Sequence, residues 1–335
     1  MKIAIVGAGA IGGLLGARLS LSGQDVALIA RNRNLLAIEQ HGLRLLEDDG
    51  RELHAPRVRA YADGGDAGPQ DAVLLAVKAH QVKDVLPAMQ GLLGPETAVV
   101  TMSNGLPWWY FQRLPGPYEN RVLESVDPGG AIAAAIDPGR VIGSVVYPAA
   151  ELVEPGKVRL VEGNRFTLGE PDGRRSPRIE ALAQALTRAG FKAPITKDIR
   201  GEIWLKLWGT LSFNPVSALS HATLEGICRD PDGRAVVEAM MREAQAVAEK
   251  LGVVFKVSIE KRIAGAEAVG AHKTSMLQDV EQGRPLELEA LVGSVVELGR
   301  ITGVPTPSIE AVHHLAALLS RTLAARGTGL ALAGG

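Results

Sequence analysis

The chain is poor in features that would tie it to an oxidising compartment, a membrane or nucleic acid. It has one cysteine in 335 residues, Cys228. That excludes an internal disulfide framework and suits a reducing cytosol. Nothing around Cys228 supplies an obvious base, so it is not read as a nucleophile. The formal net charge is −1, which gives no electrostatic case for a nucleic acid or an anionic membrane surface. No uninterrupted apolar run approaches the ~18 residues that span a bilayer. The opening residues read as a core strand rather than a charged-then-apolar leader, so no signal peptide is expected. The histidines, His313-His314 included, lack the spacing and partners of a zinc site. There is no internal repeat and no low-complexity linker. A soluble, cytoplasmic chain is expected, long enough for two domains with sizeable cores.

What is present is concentrated at the start, MKIAIVGAGAIGGLLG. A short β-branched run, Ile3 to Val6, leads into Gly7-Ala8-Gly9-Ala10-Ile11-Gly12, followed by an apolar helical stretch. This is the strand, glycine turn and helix start of a dinucleotide-binding βαβ unit. Gly7 permits the tight turn and Gly9 lets the backbone approach a pyrophosphate. Gly12 allows close helix packing, and the helix N-terminus offers N–H groups to the anion. The second strand, 25–30, ends in Ala30 and then Arg31-Asn32-Arg33-Asn34. An NAD site usually carries Asp or Glu here, whereas a basic residue pairs with a 2′-phosphate. Arg31 with Arg33 therefore favours NADP(H), against the plain alternative of a solvated loop arginine.

Candidate strands are 3–6, 25–30, 71–77, 97–102, 121–126 and 141–147, then 157–161 and 165–168. The last two are read as an antiparallel hairpin closed by Glu162-Gly163-Asn164. Helical patterns lie between several strands. A further helix is read at 177–189 and a further strand at 191–196. This alternation predicts an α/β fold, a Rossmann-type doubly wound parallel sheet. From about 197 the chain becomes helical, with amphipathic patterns at 200–213, 215–228, 232–251, 256–281, 285–303 and 307–326. The expected domains are thus 1–196, nucleotide-binding, and 197–326, all-helical and substrate-binding, with a disordered tail at 327–335. Substrate is expected in the cleft between them, at the C-terminal ends of the parallel strands.

In the helical part, the segment 200–215 places Lys206, Thr210 and Asn214 on one stripe at i, i+4 and i+8. Trp204, Leu207, Trp208 and Leu211 fall on another, apolar face. A lysine in a partly desolvated cleft is a proton donor with a tunable pKa. The competing reading is a lysine snorkelling from an amphipathic helix. Downstream, Pro285 can start a helix and put Glu287 in its first turn, where the dipole alone would explain a carboxylate.

Taken together these residues resemble the ketopantoate reductase (2-dehydropantoate 2-reductase) family. The carrying motifs are GAGAIG, Arg31, Ala76-Val-Lys78-Ala, Ser103-Asn104-Gly105, the Glu-Ile-Trp-Leu-Lys206 helix running to Asn214-Pro215, and Ser275-Met-Leu-Gln-Asp279 with Glu287 beyond. The resemblance implies Lys206 as general acid and Asn214 and Ser275 as substrate ligands. It places Asn104 where nicotinamide and substrate meet, Lys78 near the cofactor, and Glu287 near the ribose and the substrate hydroxyl. It implies NADPH-dependent reduction of a 2-oxo acid, 2-dehydropantoate to pantoate in pantothenate biosynthesis.

Two positions depart from the pattern. Thr210 and His272 stand where the family carries asparagine, and a threonine cannot donate two hydrogen bonds to substrate. The aromatic run Trp108-Trp109-Tyr110 reads either as core or as a pocket wall for a different 2-oxo acid. Rival readings are a β-hydroxyacid or 6-phosphogluconate-type dehydrogenase and a non-catalytic NADP(H) sensor. A short-chain dehydrogenase is excluded, because no Tyr-x-x-x-Lys occurs. Helix-rich second domains of this sort often dimerise, which leaves a homodimer open.

Overall fold

The structure is a computed structural model that describes residues 1–331. Two compact units divide it. Unit 1 comprises Met1–Ser103, Pro107–Val122 and Gly129–Ile199, and unit 2 comprises Asn104–Leu106, Leu123–Pro128 and the chain from Arg200 on.

Unit 1 contains β1 (Lys2–Val6), α1 (Ala10–Leu21), β2 (Asp25–Ile29), α2 (Asn32–His41), β3 (Leu43–Leu46), β4 (Glu52–Ala55), β5 (Arg59–Tyr61) and β6 (Gln70–Leu75). They are followed by α3 (Val82–Met89), β7 (Leu93–Thr101), α4 (Ala131–Ala135), β8 (Val141–Val146), β9 (Ala149–Glu154), β10 (Lys157–Glu162), β11 (Phe166–Gly169) and α5 (Pro177–Arg188). The main sheet has the order β11-β8-β7-β6-β1-β2-β5. Its strands run parallel apart from β11, which is antiparallel to β8. β1 sits between β2 and β6, so the loops leaving all three emerge at one edge, where doubly wound sheets bind nucleotides.

The expected hairpin 157–161/165–168 does not form. β10 pairs antiparallel with β9 and parallel with β3 in a separate sheet of order β4-β3-β10-β9, while β11 joins the main sheet. The real turn is Pro155-Gly156, with Gly156 at φ +73°, a Pro-Gly signal legible in the sequence. The second sheet packs on α1, which explains why that helix is apolar all round and lacks a solvent face. β3, β4, β5 and β9 escape the sequence reading because they are short and carry charged side chains.

Two other expected strands are absent. Residues 121–126 form turns, because Glu297 holds the Glu124 and Ser125 N–H groups at 2.9 Å each in place of a neighbouring strand. Segment 191–196 makes only isolated bridges to the β11 side, and Pro194 lacks the N–H that a continuous ladder needs.

Unit 2 is helical: α6 (Ile199–Ser220, whose first residue belongs to unit 1), α7 (Leu224–Arg229), α8 (Pro231–Lys250), α9 (Ile259–Glu267), α10 (Ser275–Glu281), a π-helical turn Glu289–Gly293, α11 (Ser294–Thr302) and α12 (Pro307–Arg326). Trp204, Leu207, Trp208 and Leu211 form the buried face of α6. The Trp208 indole N–H donates to the Met241 carbonyl on α8 at 2.8 Å.

The helix boundaries differ from the pattern in four places. α6 continues through Pro215 to Ser220 instead of breaking there. The 215–228 pattern is split, since His221 turns left-handed at φ +59° and α7 starts only at Leu224. The 256–281 pattern splits, since Gly270 turns left-handed at φ +83° and Thr274 caps a new helix by accepting from the Leu277 N–H. The 285–303 pattern begins its helix at Leu288, which leaves Glu287 just outside the first turn. Of the tail 327–335, residues 332–335 lie outside the described residues; the Leu330 N–H donates to the Val280 carbonyl at 2.9 Å.

Candidate active site

In unit 1 the β1–α1 turn is built by three glycines doing different things. Gly7 is left-handed at φ +108°, and its N–H donates to the Ile29 carbonyl of β2 at 3.0 Å. A Cβ on Gly12 would lie 1.9 Å from the Gly7 carbonyl oxygen, so only glycine closes the helix onto the turn. A Cβ on Gly9 would meet no protein atom within 4 Å. Gly9 is also the N-cap of α1 and supplies no side-chain acceptor, so the first N–H groups, from Ala10, Ile11 and Gly12, point to an anion site. Open space at Gly9 beside uncapped N–H groups fits a pyrophosphate.

Asn34 has a role in the turn that no sequence motif marks. Its amide donates to the Ala8 carbonyl at 2.9 Å, and its Oδ1 accepts from the Gly156 N–H at 3.1 Å, tying the glycine turn to the second sheet. The only signal was its place in the run after β2. Arg31 follows β2 as the exposed N-cap of α2, and its guanidinium donates a long hydrogen bond, 3.4 Å, to the Asp84 carbonyl. Lys78 follows β6 and is part-buried. The Lys78 N–H donates to the Gln81 side chain at 3.2 Å, which fixes the turn that carries it. Gly7, Ala8, Gly9, Ala10, Ile11, Gly12, Arg31 and Lys78 therefore line the ends of adjacent strands β1, β2 and β6.

In unit 2 Lys206 lies on α6, part-buried. Its ammonium donates to Asn104 Oδ1 at 2.6 Å, and Asn104 Nδ2 faces Glu287 Oε2 at 3.5 Å. Burial pulls the Lys206 pKa from 10.5 down to about 8, while the Glu287 carboxylate opposes the fall. An ammonium of this kind is protonated near neutrality yet gives up its proton readily.

Two turns along the same stripe, Asn214 Nδ2 lies 3.4 Å from Ser275 Oγ. Asn214 is buried, and Ser275 is exposed at the start of α10. Between them, the Thr210 hydroxyl turns back on its own helix, to the Leu207 carbonyl at 3.2 Å and the Lys206 carbonyl at 3.4 Å. Such back-bonding is ordinary for a mid-helix threonine, so Thr210 presents no amide-like fork. The structure thus gathers Lys206, Asn104 and Glu287 into one group and Asn214 with Ser275 into another.

Trp108, Trp109, Tyr110 and Phe111 are buried in unit 1. The Trp109 indole N–H donates to Thr101 Oγ1 at 2.9 Å, and Tyr110 meets Phe111 edge to face. Core packing accounts for the run. Cys228 is buried against the Ile263 carbonyl, and burial pushes its thiol pKa up, the opposite of an activated nucleophile. Among the described residues no group of three or more His, Cys, Asp or Glu could hold a metal ion, and no helix is long and apolar enough to cross a membrane.

Comparison with known proteins bears on the whole chain. Residues 3–109 match the family model Ketopantoate reductase PanE/ApbA, and residues 198–320 match its C-terminal counterpart. The 2-dehydropantoate 2-reductase of Mesorhizobium japonicum is 55% identical over 316 residues, covering 94% of this chain and 96% of that one. The 2-dehydropantoate 2-reductase of Archaeoglobus fulgidus is 30% identical over 90% of this chain and 92% of its own. Among solved structures, a candidate ketopantoate reductase from Ralstonia solanacearum MolK2 superposes with a TM-score of 0.92 at 44% identity, covering 98% of this chain and 99% of that one. The chain belongs to the ketopantoate reductase family, oxidoreductases that interconvert a 2-oxo acid and its 2-hydroxy acid with a nicotinamide cofactor.

Proposed function

We propose that this chain reduces 2-dehydropantoate to pantoate, serving pantothenate biosynthesis, with NADPH as reductant and Lys206 as the general acid. The observation that carries this reading is the Lys206 ammonium, buried enough to titrate near pH 8 and held at 2.6 Å by Asn104. The 55% identical Mesorhizobium japonicum relative, a 2-dehydropantoate 2-reductase, supports the substrate.

NADPH, when bound, supplies the hydride that reduces the keto carbon. The Gly7–Gly12 turn and the α1 N-terminus would hold its pyrophosphate, with Lys78 nearby. Arg31, exposed after β2 where an acidic residue would select NAD, would pair with the 2′-phosphate. As the carbonyl oxygen gains negative charge, Lys206 stabilises it and passes its proton to that oxygen, an effect typically worth ~10²–10⁴-fold. Asn104 directs the ammonium, and the Glu287 carboxylate keeps it charged against the pull of burial. Asn214 and Ser275 offer an amide and a hydroxyl for the substrate's own polar groups, and Thr210, bonded back to its helix, contributes shape rather than a second amide. A buried, single cysteine fits a reducing cytoplasm.

The test is NADPH oxidation, followed by its absorbance, with 2-dehydropantoate beside bulkier 2-oxo acids and with NADH as the control. Fast turnover of 2-dehydropantoate with NADPH is expected, along with loss of nearly all turnover in Lys206→Ala. Tight NADPH binding without turnover of any 2-oxo acid would instead make the chain a sensor. Near-normal turnover in Lys206→Ala would remove that residue from the mechanism.

A further inference from the structure

Asn104 belongs to a three-residue segment, Asn104–Leu106, that is part of unit 2 although the chain on either side of it lies in unit 1. Besides the Asn104 side chain, a backbone carbonyl fastens it there. The Leu106 N–H donates to the Ala290 carbonyl oxygen at 2.9 Å. Ala290 lies inside the π-helical turn Glu289–Gly293, and that setting changes what its carbonyl can do. In an α-helix the Ala290 oxygen would take the N–H of Ser294, four residues on. Here the Ser294 N–H bonds instead to the Glu289 carbonyl, five residues back. The Ala290 oxygen accepts from the Leu106 N–H and, at 2.8 Å, from the Ser294 hydroxyl. Ser294 is fully buried, so that hydroxyl has no water to turn to.

The neighbouring residues are fitted to this grip. Gly105 is left-handed at φ +87°, and a Cβ there would lie 2.2 Å from the Ala290 oxygen and 2.5 Å from its carbonyl carbon. Those are backbone atoms that cannot swing aside. At the far end of the turn, a Cβ on Gly293 would meet the Glu289 carboxylate at 2.2 Å. Its absence lets Glu289 fold across the wide turn to His313 on α12, 3.0 Å away. Glu287, which faces Asn104, stands two residues before the turn.

We propose that the π-helical turn Glu289–Gly293 is a positioning element for the reaction: through the Ala290 carbonyl it holds the Gly105–Leu106 backbone, and so sets the Asn104 amide on the Lys206 ammonium. Gly105 and Ser294 are its positioning residues, acting through Asn104. The proposal rests on Lys206 being the general acid. π-helical turns recur at functional sites because a widened turn re-aims a backbone group that regular helix would consume.

A double-mutant cycle tests it, on the full chain with 2-dehydropantoate and NADPH: Asn104→Ala, Gly105→Ala and the pair, with kcat and the pH profile of kcat/KM. Gly105→Ala is expected to lower kcat roughly 10- to 100-fold, the scale of one lost charge-assisted hydrogen bond. It should also move the basic fall of the profile to lower pH, since an ammonium without its acceptor deprotonates sooner. In the Asn104→Ala background the same change should alter kcat less than about 2-fold. Ser294→Ala, which leaves the backbone path open, should show the same pattern with a smaller effect and serves if Gly105→Ala fails to fold. Equal losses in both backgrounds, or a profile that does not move, would overturn the positioning role. Lys206→Ala separates the two readings: if it is inactive, additive losses sink only the positioning role, whereas if it turns over normally both fall.

Discussion

Replacing Lys206 by methionine should abolish turnover and yet stabilise the protein near neutrality, by an amount that depends on pH. Burial lowers the Lys206 pKa from 10.5 to about 8. The folded state therefore binds fewer protons than the unfolded state between these values, and stability rises with pH across that window. Below pH 8 the whole penalty is present. With ~1.36 kcal/mol per tenfold in proton affinity, it is roughly 3 kcal/mol at pH 7 and about 1.4 kcal/mol at pH 9.5. Methionine keeps most of the side-chain volume but leaves Asn104 Oδ1 without its donor, at a cost of about 1 kcal/mol. The variant should then be about 2 kcal/mol more stable than the parent at pH 7, and most of that difference should be gone by pH 9.5. Denaturant titrations of both proteins at the two pH values measure this, with the steady-state rate recorded alongside. A stability difference that does not change with pH, or a variant less stable at pH 7 than the parent, would refute the claim that Lys206 is held in a costly, desolvated state.

Other expectations concern the nucleotide site and the core of unit 1. Gly9→Ala should keep the parent's melting temperature, since its Cβ meets nothing, but weaken NADPH binding measured by fluorescence titration; Gly12→Ala, with its Cβ 1.9 Å from the Gly7 oxygen, should melt lower. If the two behave alike, the division of labour in the turn is wrong. Arg31→Ala should raise the KM for NADPH roughly 10- to 100-fold and leave that for NADH nearly unchanged, the loss of one charge-assisted contact to a 2′-phosphate; equal effects on both would place the arginine elsewhere. The Glu170 carboxylate is fully buried and accepts from Arg178 at 2.9 and 2.5 Å and from Ser176 at 2.5 Å. Arg178→Met strands it and should cost about 3–5 kcal/mol in denaturant titration. A loss below about 1 kcal/mol would refute the idea that Arg178 is what compensates the buried carboxylate.

Local pattern sufficed where the physics is local. The β1–turn–α1 unit is legible because a run of β-branched residues, three glycines with distinct steric duties and an uncapped helix start all fall within sixteen residues. Lys206, Thr210 and Asn214 share a stripe because helical geometry puts i, i+4 and i+8 on one side of α6. The helical character of residues after 197 follows from periodicity in the same way. Chain position alone could not show that Asn104, about a hundred residues from Lys206, accepts its proton-bearing nitrogen at 2.6 Å. Nor could it show that residues 121–126, strand-like in composition, are claimed by the Glu297 carboxylate instead of a neighbouring strand. The small sheet β4-β3-β10-β9 was hidden because β3, β4 and β9 carry charged side chains and its two hairpins join only through β3 and β10, more than a hundred residues apart. Pairing partners and burial come from tertiary contact, and burial is what lowers the Lys206 pKa. The sequence by itself determined which chemical groups are present and on which helix face or strand end they stand; only the tertiary structure decided which of them meet, and how far burial lowers the pKa of the Lys206 ammonium.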